Sequence, residues 1–390
     1  MNANRLNILF ITPWYPIHEN PMAGVFIKEH ARAVQIYDNV IVIHLLGASR
    51  EIKSLWQIEK DIEKNTCCPI TVFRIRWKLI PFPYLTYLLY LFCIFMTVRR
   101  IRTGGFQPNI VHAHIYSSGI PAVMLSKFHN IPAIITEHSS AFMRGLLPPK
   151  EIRKIRYSFR NAHLILPVSS ALKETIEAIG IRGNFRIVPN AVDTNRFKPP
   201  LKSKHITQIK SILFVGSLLP VKCLHILIKA IFQVKSLRRD WHLDIIGEGP
   251  QRAELENLVS KLDLRDYVTF HGQKRQDDVA QLMRDADFLV LTSEYETFSV
   301  AIAEALVSGL PVISTRCGGP EELINNENGV LISRNDPIGL AHSIVWMLDN
   351  LDIYSAATIS QSSAKQFGMD KVGEVLHSIY LDTLASWHKN

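Results

Sequence analysis

Glu294-Tyr295-Glu296-Thr297-Phe298-Ser299-Val300-Ala301-Ile302-Ala303-Glu304-Ala305-Leu306 runs between an apolar stretch, Phe288–Leu291, and Gly309. The apolar stretch reads as a strand, and the segment after it opens a helix that stops near the glycine. On that reading Thr297, Phe298 and Ser299 occupy the first helical turn. Free backbone N–H groups and the helix dipole favour an anion there, and a diphosphate is the obvious guest. Glu296 sits just before the turn, and Glu304 lies roughly 12 Å further on at helical rise. That separation is too great for a close acid–base pair. It suits two clamps on one elongated ligand with phosphates between them. For an isolated pair of glutamates, a solvated acidic helix start is the plainer alternative.

The same alternation extends outward in both directions. Asn7–Ile11, Val40–Leu45, Ile110–His112, Ala133–Thr136 and Leu164–Val168 read as strands, with helices at Val25–Ile36 and Ala171–Ala178. After a polar, proline-flanked stretch at Phe197–Ile209 the pattern restarts. Strands at Ser211–Val215, His242–Ile246, Val268–Phe270, Phe288–Leu291 and Val312–Ser314 alternate with helices at Cys223–Val234, Gln251–Leu262, Gln276–Arg284 and Val300–Ser308. Strand–helix alternation implies parallel sheets, and two series imply two Rossmann-like, doubly wound α/β domains with ligands in a cleft near strand C-terminal ends. The expected division is 1–198, 199–370 and a last helix at 371–390 that packs back on the first domain. A length of 390 residues agrees with two domains.

Five cysteines, with Cys67 and Cys68 adjacent and Cys93, Cys223 and Cys317 isolated, match no metal template and suit a reducing compartment. The N-terminal run reads as a strand and lacks the features of a signal peptide, so a cytoplasmic location is expected. The net charge of +9 is concentrated in the first half. Arg74, Arg76, Lys78, Arg99, Arg100 and Arg102 lie in a stretch, 64–136, without Asp or Glu, and a second cluster follows at Lys150–Arg160. Without zinc-finger spacing or an RNA-binding aromatic signature, this basic face points to an anionic membrane or substrate rather than nucleic acid. Leu79–Val98 is uncharged and apolar. Pro81 and Pro83 are expected to shorten its helix to roughly 15 residues, too few for a comfortable span. A buried crossover helix or a membrane-docking surface is expected instead. His112 and His114 alternate at a strand end, but no third ligand is spaced nearby, so no metal site is expected.

The 294–306 stretch resembles the E-x7-E motif of the retaining, GT-B-fold glycosyltransferases of family 4. Further blocks agree in order over nearly the whole chain. They are Ile187-Val188-Pro189-Asn190-Ala191-Val192-Asp193 with Phe197 and Pro199, Asp244-Ile245-Ile246-Gly247-Glu248-Gly249-Pro250, Val268–Gly272, Gly309–Ile313 and Gly318–Glu322. No block is decisive alone, but their ordered combination is specific. The resemblance implies a nucleoside diphosphate sugar as donor, UDP first and GDP next, with no cofactor or metal required. It implies that Glu296 contacts the transferred sugar and Glu304 the ribose. Backbone amides at Phe298, Ser299 and Val300, beside Thr297, would hold the distal phosphate, and Lys222 would stabilise the leaving diphosphate. Gly216, Ser217, His271 and Gly272 fall in donor-binding blocks, Gly24 in a glycine loop near the phosphates, and His138 near the reacting sugar.

Three positions depart from the family pattern. Ser217 stands where an arginine is usual, removing one of two cationic phosphate contacts, for which Arg316 or Arg144 is a candidate substitute. Ser299 replaces a glycine, and Ala191 another. Basic charge together with Pro83–Val98 suggests a lipid-linked or surface-polysaccharide acceptor at the inner face of a bacterial membrane. A non-catalytic nucleotide-sugar binder, or a GT-B phosphorylase or epimerase, is the alternative. An NAD enzyme is disfavoured, since no G-x-G-x-x-G joins a first strand to a helix.

Overall fold

The computed structural model describes residues 5–63, 69–200 and 208–387. Cys67, Cys68, part of the polar stretch before Ile209, and His388 lie outside the described residues. The chain forms two compact units, Met1–Ala191 with Met369–Asn390, and Val192–Gly368. Sequence reading placed the divisions at 198/199 and 370/371. The Asp193–Phe197 turn goes with the second unit because Val192 donates to Phe367 O at 2.8 Å and the Arg196 side chain bonds Gln276 and Asp277.

In the first unit the order is β1 (Asn7–Thr12), α1 (Val25–Tyr37), β2 (Asn39–Ser49), β3 (Trp56–Glu63), β4 (Ile70–Lys78), α2 (Pro83–Thr103), β5 (Ile110–His114), α3 (Gly119–His129), β6 (Ala133–Glu137), α4 (Pro149–Asn161), β7 (Leu164–Pro167) and α5 (Ser170–Ala178). The sheet runs β3-β4-β2-β1-β5-β6-β7, parallel throughout except for β3 against β4. Fully buried strands explain the near-continuous apolar runs of β1 and β7. The second unit follows with β8 (Lys210–Val215), α6 (Leu224–Leu237), β9 (Trp241–Ile246), α7 (Arg252–Lys261), β10 (Val268–Gly272), α8 (Gln276–Asp285), β11 (Phe288–Leu291), α9 (Val300–Val307), β12 (Val312–Thr315), α10 (Pro320–Leu323), β13 (Gly329–Ile332), α11 (Pro337–Asp349) and α12 (Ala356–Phe367). Its sheet, β10-β9-β8-β11-β12-β13, is all parallel. Both sheets reverse strand order at one place, between β1 and β5 in the first and between β8 and β11 in the second. Ligands of doubly wound sheets bind outside the strand C-terminal ends at such a reversal.

The last helix, α13 (Met369–Trp387), packs on α1 of the first unit. Contact is backbone-close: a Cβ on Gly373 would fall 2.2 Å from Ala33 O. Tyr380, fully buried, hydrogen-bonds His112 Nδ1 at 2.7 Å, while His112 Nε2 meets Thr136 Oγ1 at 2.6 Å. Both nitrogens of His112 are thereby satisfied, which removes it from any metal reading.

The helix α2 has 21 residues, not the roughly 15 expected. Pro83 begins the helix instead of breaking it, because the first helical position needs no N–H donor. Among the described residues it is the helix long and apolar enough to cross a bilayer, yet it packs on β2 and β4 through Cys93, Ile94, Thr97, Val98 and Ile101. Its first half instead exposes Tyr84, Leu85, Leu88 and Phe92. The basic stretch is also partly neutralised. Arg74 pairs with Asp61 of β3 at 3.3 Å and bonds His44, since the antiparallel β3–β4 register brings the acids of β3 against it.

Candidate functional site

Lys222 and Glu296, 74 positions apart in sequence, meet at 2.5 Å beyond the C-terminal ends of β8 and β11. They therefore stand at the strand reversal of the second sheet. Backbone staples bring them together. Thr292 Oγ1 donates to Lys222 O and Cys223 O, and the Glu294 amide donates to Val221 O. Thr315 Oγ1 fixes Ser293 O from the neighbouring strand β12. Ser293 Oγ then donates to Glu296 Oε1 at 2.7 Å, the same oxygen that takes the Lys222 ammonium. Ser293, Thr292 and Thr315 escaped sequence reading, since nothing in their spacing marks a staple.

The Glu296 backbone is clamped as well. Its amide donates to Cys317 O at 3.0 Å, and its carbonyl accepts from Gly319 N at 2.7 Å. A Cβ on Gly319 would fall 2.5 Å from Phe298 Cα, so only glycine allows this approach. Glu321 holds the same loop by accepting the Cys317 and Gly318 amides. Arg316 is exposed beside it at the end of β12, while Arg144 is exposed in the first unit.

The helix α9 begins at Val300, with Ser299 as its N-cap. Thr297 and Phe298 precede the helix rather than forming its first turn, and Phe298 is instead buried edge-on against Phe367. The amides open to an anion are thus those at the Val300 end, four residues beyond Glu296 in sequence. Glu304 is half-buried further along α9. Ser299 has φ 74°, in the left-handed region that glycine tolerates. The departure at this position therefore carries backbone strain of about 1 kcal/mol or more, against which glycine's extra chain entropy costs about 0.5–1 kcal/mol. Ser299→Gly is expected to leave stability unchanged or raise it by up to about 1 kcal/mol, read as a denaturation midpoint that does not fall.

The other blocks to which the resemblance assigns the donor assemble around two glycines. A Cβ on Gly247 would lie 1.8 Å from Gly216 O, and one on Gly249 would lie 2.5 Å from Leu218 O. The turn after β9 thus presses on the loop that carries Lys222. Gly216 lies under the lysine stem, with its would-be Cβ 3.8 Å from Lys222 Cε, and Ser217 is exposed beside it. His271 occupies an irregularity in the β10 register and directs Nε2 to Asp244 Oδ1 at 2.7 Å, so its side chain is engaged with β9. Gly272, at φ 67°, turns the chain against Glu248 and Arg252.

In the first unit Gly24 follows β1 at φ 66°, where a Cβ would lie 2.5 Å from the Trp14 carbonyl. His138 follows β6, nearly buried, with Phe26 4.7 Å from its ring. Beside it stand His114 at the end of β5 and His30 on α1, neither noted from sequence as its neighbour. Burial drives His138 and His114 well below the ordinary imidazole value and His30 down to about 4, so all are neutral. Glu137, adjacent to His138 in sequence, is wholly buried. Its carboxylate accepts the amides of Tyr116, His138 and Ser139 at 2.7, 2.9 and 2.6 Å. It therefore positions the His138 turn. Burial lifts its pKa to about 7, opposed by these three amides.

Comparison with known proteins bears on the whole chain. Residues 195–364 match the family model described as glycosyl transferases group 1, and residues 51–196 match the one described as glycosyltransferase family 4. An uncharacterised glycosyltransferase of Methanocaldococcus jannaschii is 29% identical over 281 residues, covering 70% of this chain and 75% of the relative. The N-acetyl-alpha-D-glucosaminyl L-malate synthase of Bacillus anthracis is 28% identical, covering 71% and 75%. A glycogen synthase of Mycobacterium tuberculosis is 27% identical over 63% of this chain, which spans 61% of that enzyme's length. Among solved structures, HepE of Anabaena in complex with UDP and glucose superposes with a TM-score of 0.76 at 19% identity, covering 97% of this chain and 100% of that one. That likeness establishes the GT-B fold, two Rossmann-like domains.

Proposed function

We propose that the chain is a GT-B-fold group 1 glycosyltransferase, as its matches over residues 51–196 and 195–364 support, and that it moves a hexose-type sugar from a nucleoside diphosphate sugar to an acceptor hydroxyl with retention of configuration. UDP is the first choice of carrier and GDP the next. The Lys222–Glu296 contact at the second sheet's strand reversal is the observation that carries the proposal. Without donor, the two charges hold each other in place. An incoming diphosphate takes the Lys222 ammonium and the amides at the start of α9, releasing Glu296 to receive sugar hydroxyls, while Glu304 takes the ribose. In the first unit, Gly24 and His138 keep the roles implied by the family resemblance.

The anomeric carbon–oxygen bond to the diphosphate breaks through an oxocarbenium-like state. The acceptor oxygen bonds the same face, and its proton passes to a departing phosphate oxygen. Positioning and leaving-group stabilisation carry the catalysis, so the step needs no enzyme nucleophile and no metal. The test is a thermal-shift screen of UDP-, GDP- and ADP-sugars in EDTA, followed by NMR assignment of the product anomer. A UDP-sugar is expected to stabilise the chain and to give a product with the donor's configuration. Inversion, or loss of turnover in EDTA, would contradict the mechanism. Binding without transfer would favour a non-catalytic role, and conversion of donor without acceptor a phosphorylase or epimerase.

The acceptor is a lipid-linked or surface-polysaccharide glycan met at the inner face of the cytoplasmic membrane. Support comes from α2, whose exposed Tyr84, Leu85, Leu88 and Phe92 precede exposed Arg99 and Arg100, with exposed Phe128 on neighbouring α3. Apolar side chains flanked by arginines suit an anionic interface. Replacing Tyr84, Leu88 and Phe92 by Ser together is expected to lower flotation with anionic vesicles at least about tenfold, a loss of ~1.4 kcal/mol. Unchanged flotation would remove α2 as the docking surface.

A further inference from the structure

His30, His114 and His138 come from three different elements of the first unit, yet one ring nitrogen of each lies within 4.8 Å of the other two. His114 Nδ1 and His138 Nε2 share a hydrogen bond at 3.1 Å, close to the separation of two nitrogens on one tetrahedral ion, and an ion that takes both shifts the shared proton to the far nitrogen of its own ring. His30 is oriented in the manner of a metal ligand. Its Nε2 faces the Pro189 carbonyl at 3.1 Å, and a carbonyl only accepts, so the proton sits there and the lone pair on Nδ1. That Nδ1 has no hydrogen-bond partner, and His30 is wholly buried. Buried polar atoms are seldom left so, which makes this nitrogen the observation to explain. Phe10 lies 4.4 Å from the His114 ring and Phe26 4.7 Å from His138, giving the cluster dry walls. Glu137, bonded to the backbone amides of His138 and Tyr116, holds two of the three ligating segments in register.

We propose that His30, His114 and His138 form a trap for a divalent transition ion of borderline softness, with Zn²⁺ as the type, and that a captured ion silences the enzyme by taking His138 out of action. Three imidazoles with a fourth position open match the ligand preference of zinc and cobalt. The ion is an inhibitor and not a cofactor, so turnover in EDTA is unaffected. Binding itself does not depend on the proposed reaction, but silencing rests on the role given to His138.

The test titrates the metal-free full chain with Co²⁺ and follows its tetrahedral ligand-field absorption, then repeats the titration with His30→Gln. One ion per chain is expected, with affinity at least about tenfold lower in the variant, a loss of the ~1.4 kcal/mol that tenfold represents. X-ray absorption on the zinc-loaded natural chain, which needs no variant, should count three imidazole nitrogens at about 2.0–2.1 Å. In assays, Zn²⁺ should suppress transfer by the natural chain, EDTA should restore it, and His30→Gln should resist. Absence of saturable uptake, or a ligand count without three imidazoles, overturns the site. Saturable uptake with transfer untouched overturns the silencing and with it the role of His138, while leaving the donor site of the second unit standing.

Discussion

Lys222→Ala is expected to lower kcat by about 10²–10³, equivalent to roughly 2.7–4 kcal/mol of transition-state stabilisation, as when an oxyanion donor is removed. The ammonium is the side-chain cation in contact with Glu296, and Ser217 supplies no second charge where the family has an arginine. Its loss also leaves the Glu296 carboxylate, 12% exposed, held by the Ser293 hydroxyl without the ammonium. Glu296→Gln should cost a similar factor, because a neutral amide can no longer be released by exchange of Lys222 between carboxylate and phosphate. The double variant should lose less than the sum of the two, since each residue acts through the other. Steady-state kinetics of the three variants reads all of this. Near-normal turnover in both single variants would remove the assignment.

Gly247→Ala is expected to be the most damaging small change in the second unit. A methyl group there would sit 1.8 Å from the Gly216 carbonyl oxygen, on a backbone at φ 143° that side chains rarely adopt. The obstacle is backbone, so no rotamer relieves it. A loss of about 3–5 kcal/mol is expected, among the larger effects of a single substitution. Guanidinium unfolding followed by Trp241, buried on adjacent β9, would report it. Gly47→Ala provides the contrast in the same class of residue. Its φ is also positive, at 107°, but a Cβ there meets nothing within 4 Å, so the backbone cost stands alone. Equal destabilisation by both would contradict the packing argument.

Much of the fold was legible because parallel, buried strands write themselves as short apolar runs. Phe288–Leu291 was placed to the residue, and β1, β8, β9 and β12 within one residue at either end. The β3–β4 pair was not legible. Trp56–Glu63 is exposed and charge-rich, with no apolar face to set a period, and its antiparallel register with β4 is what hides Arg74 behind Asp61. Pro83 was misjudged for a different reason, since a proline both ends and begins helices and only the following turn decides which.

The site divides in the same way. Glu296 and Lys222 were found through family blocks, but their contact was not, because it depends on staples from Thr292, Ser293 and Thr315 that leave no spacing signal. Ser299 reads from sequence only as a replacement of glycine. Its positive φ shows why glycine is the usual occupant, a backbone requirement that a sequence position cannot display. The absence of a third metal ligand near His112 and His114 held along the chain but not in space. His30 and His138 arrive from α1 and the end of β6, and His112 leaves the set for Tyr380 and Thr136.

Crystals of the chain with UDP offer the most direct test of the donor site. The diphosphate is expected at the start of α9, within hydrogen-bond reach of the Val300 end and of Lys222 Nζ, with the ribose at Glu304 and the Lys222–Glu296 contact opened. A nucleotide bound elsewhere, with Lys222 still paired to Glu296, would contradict it.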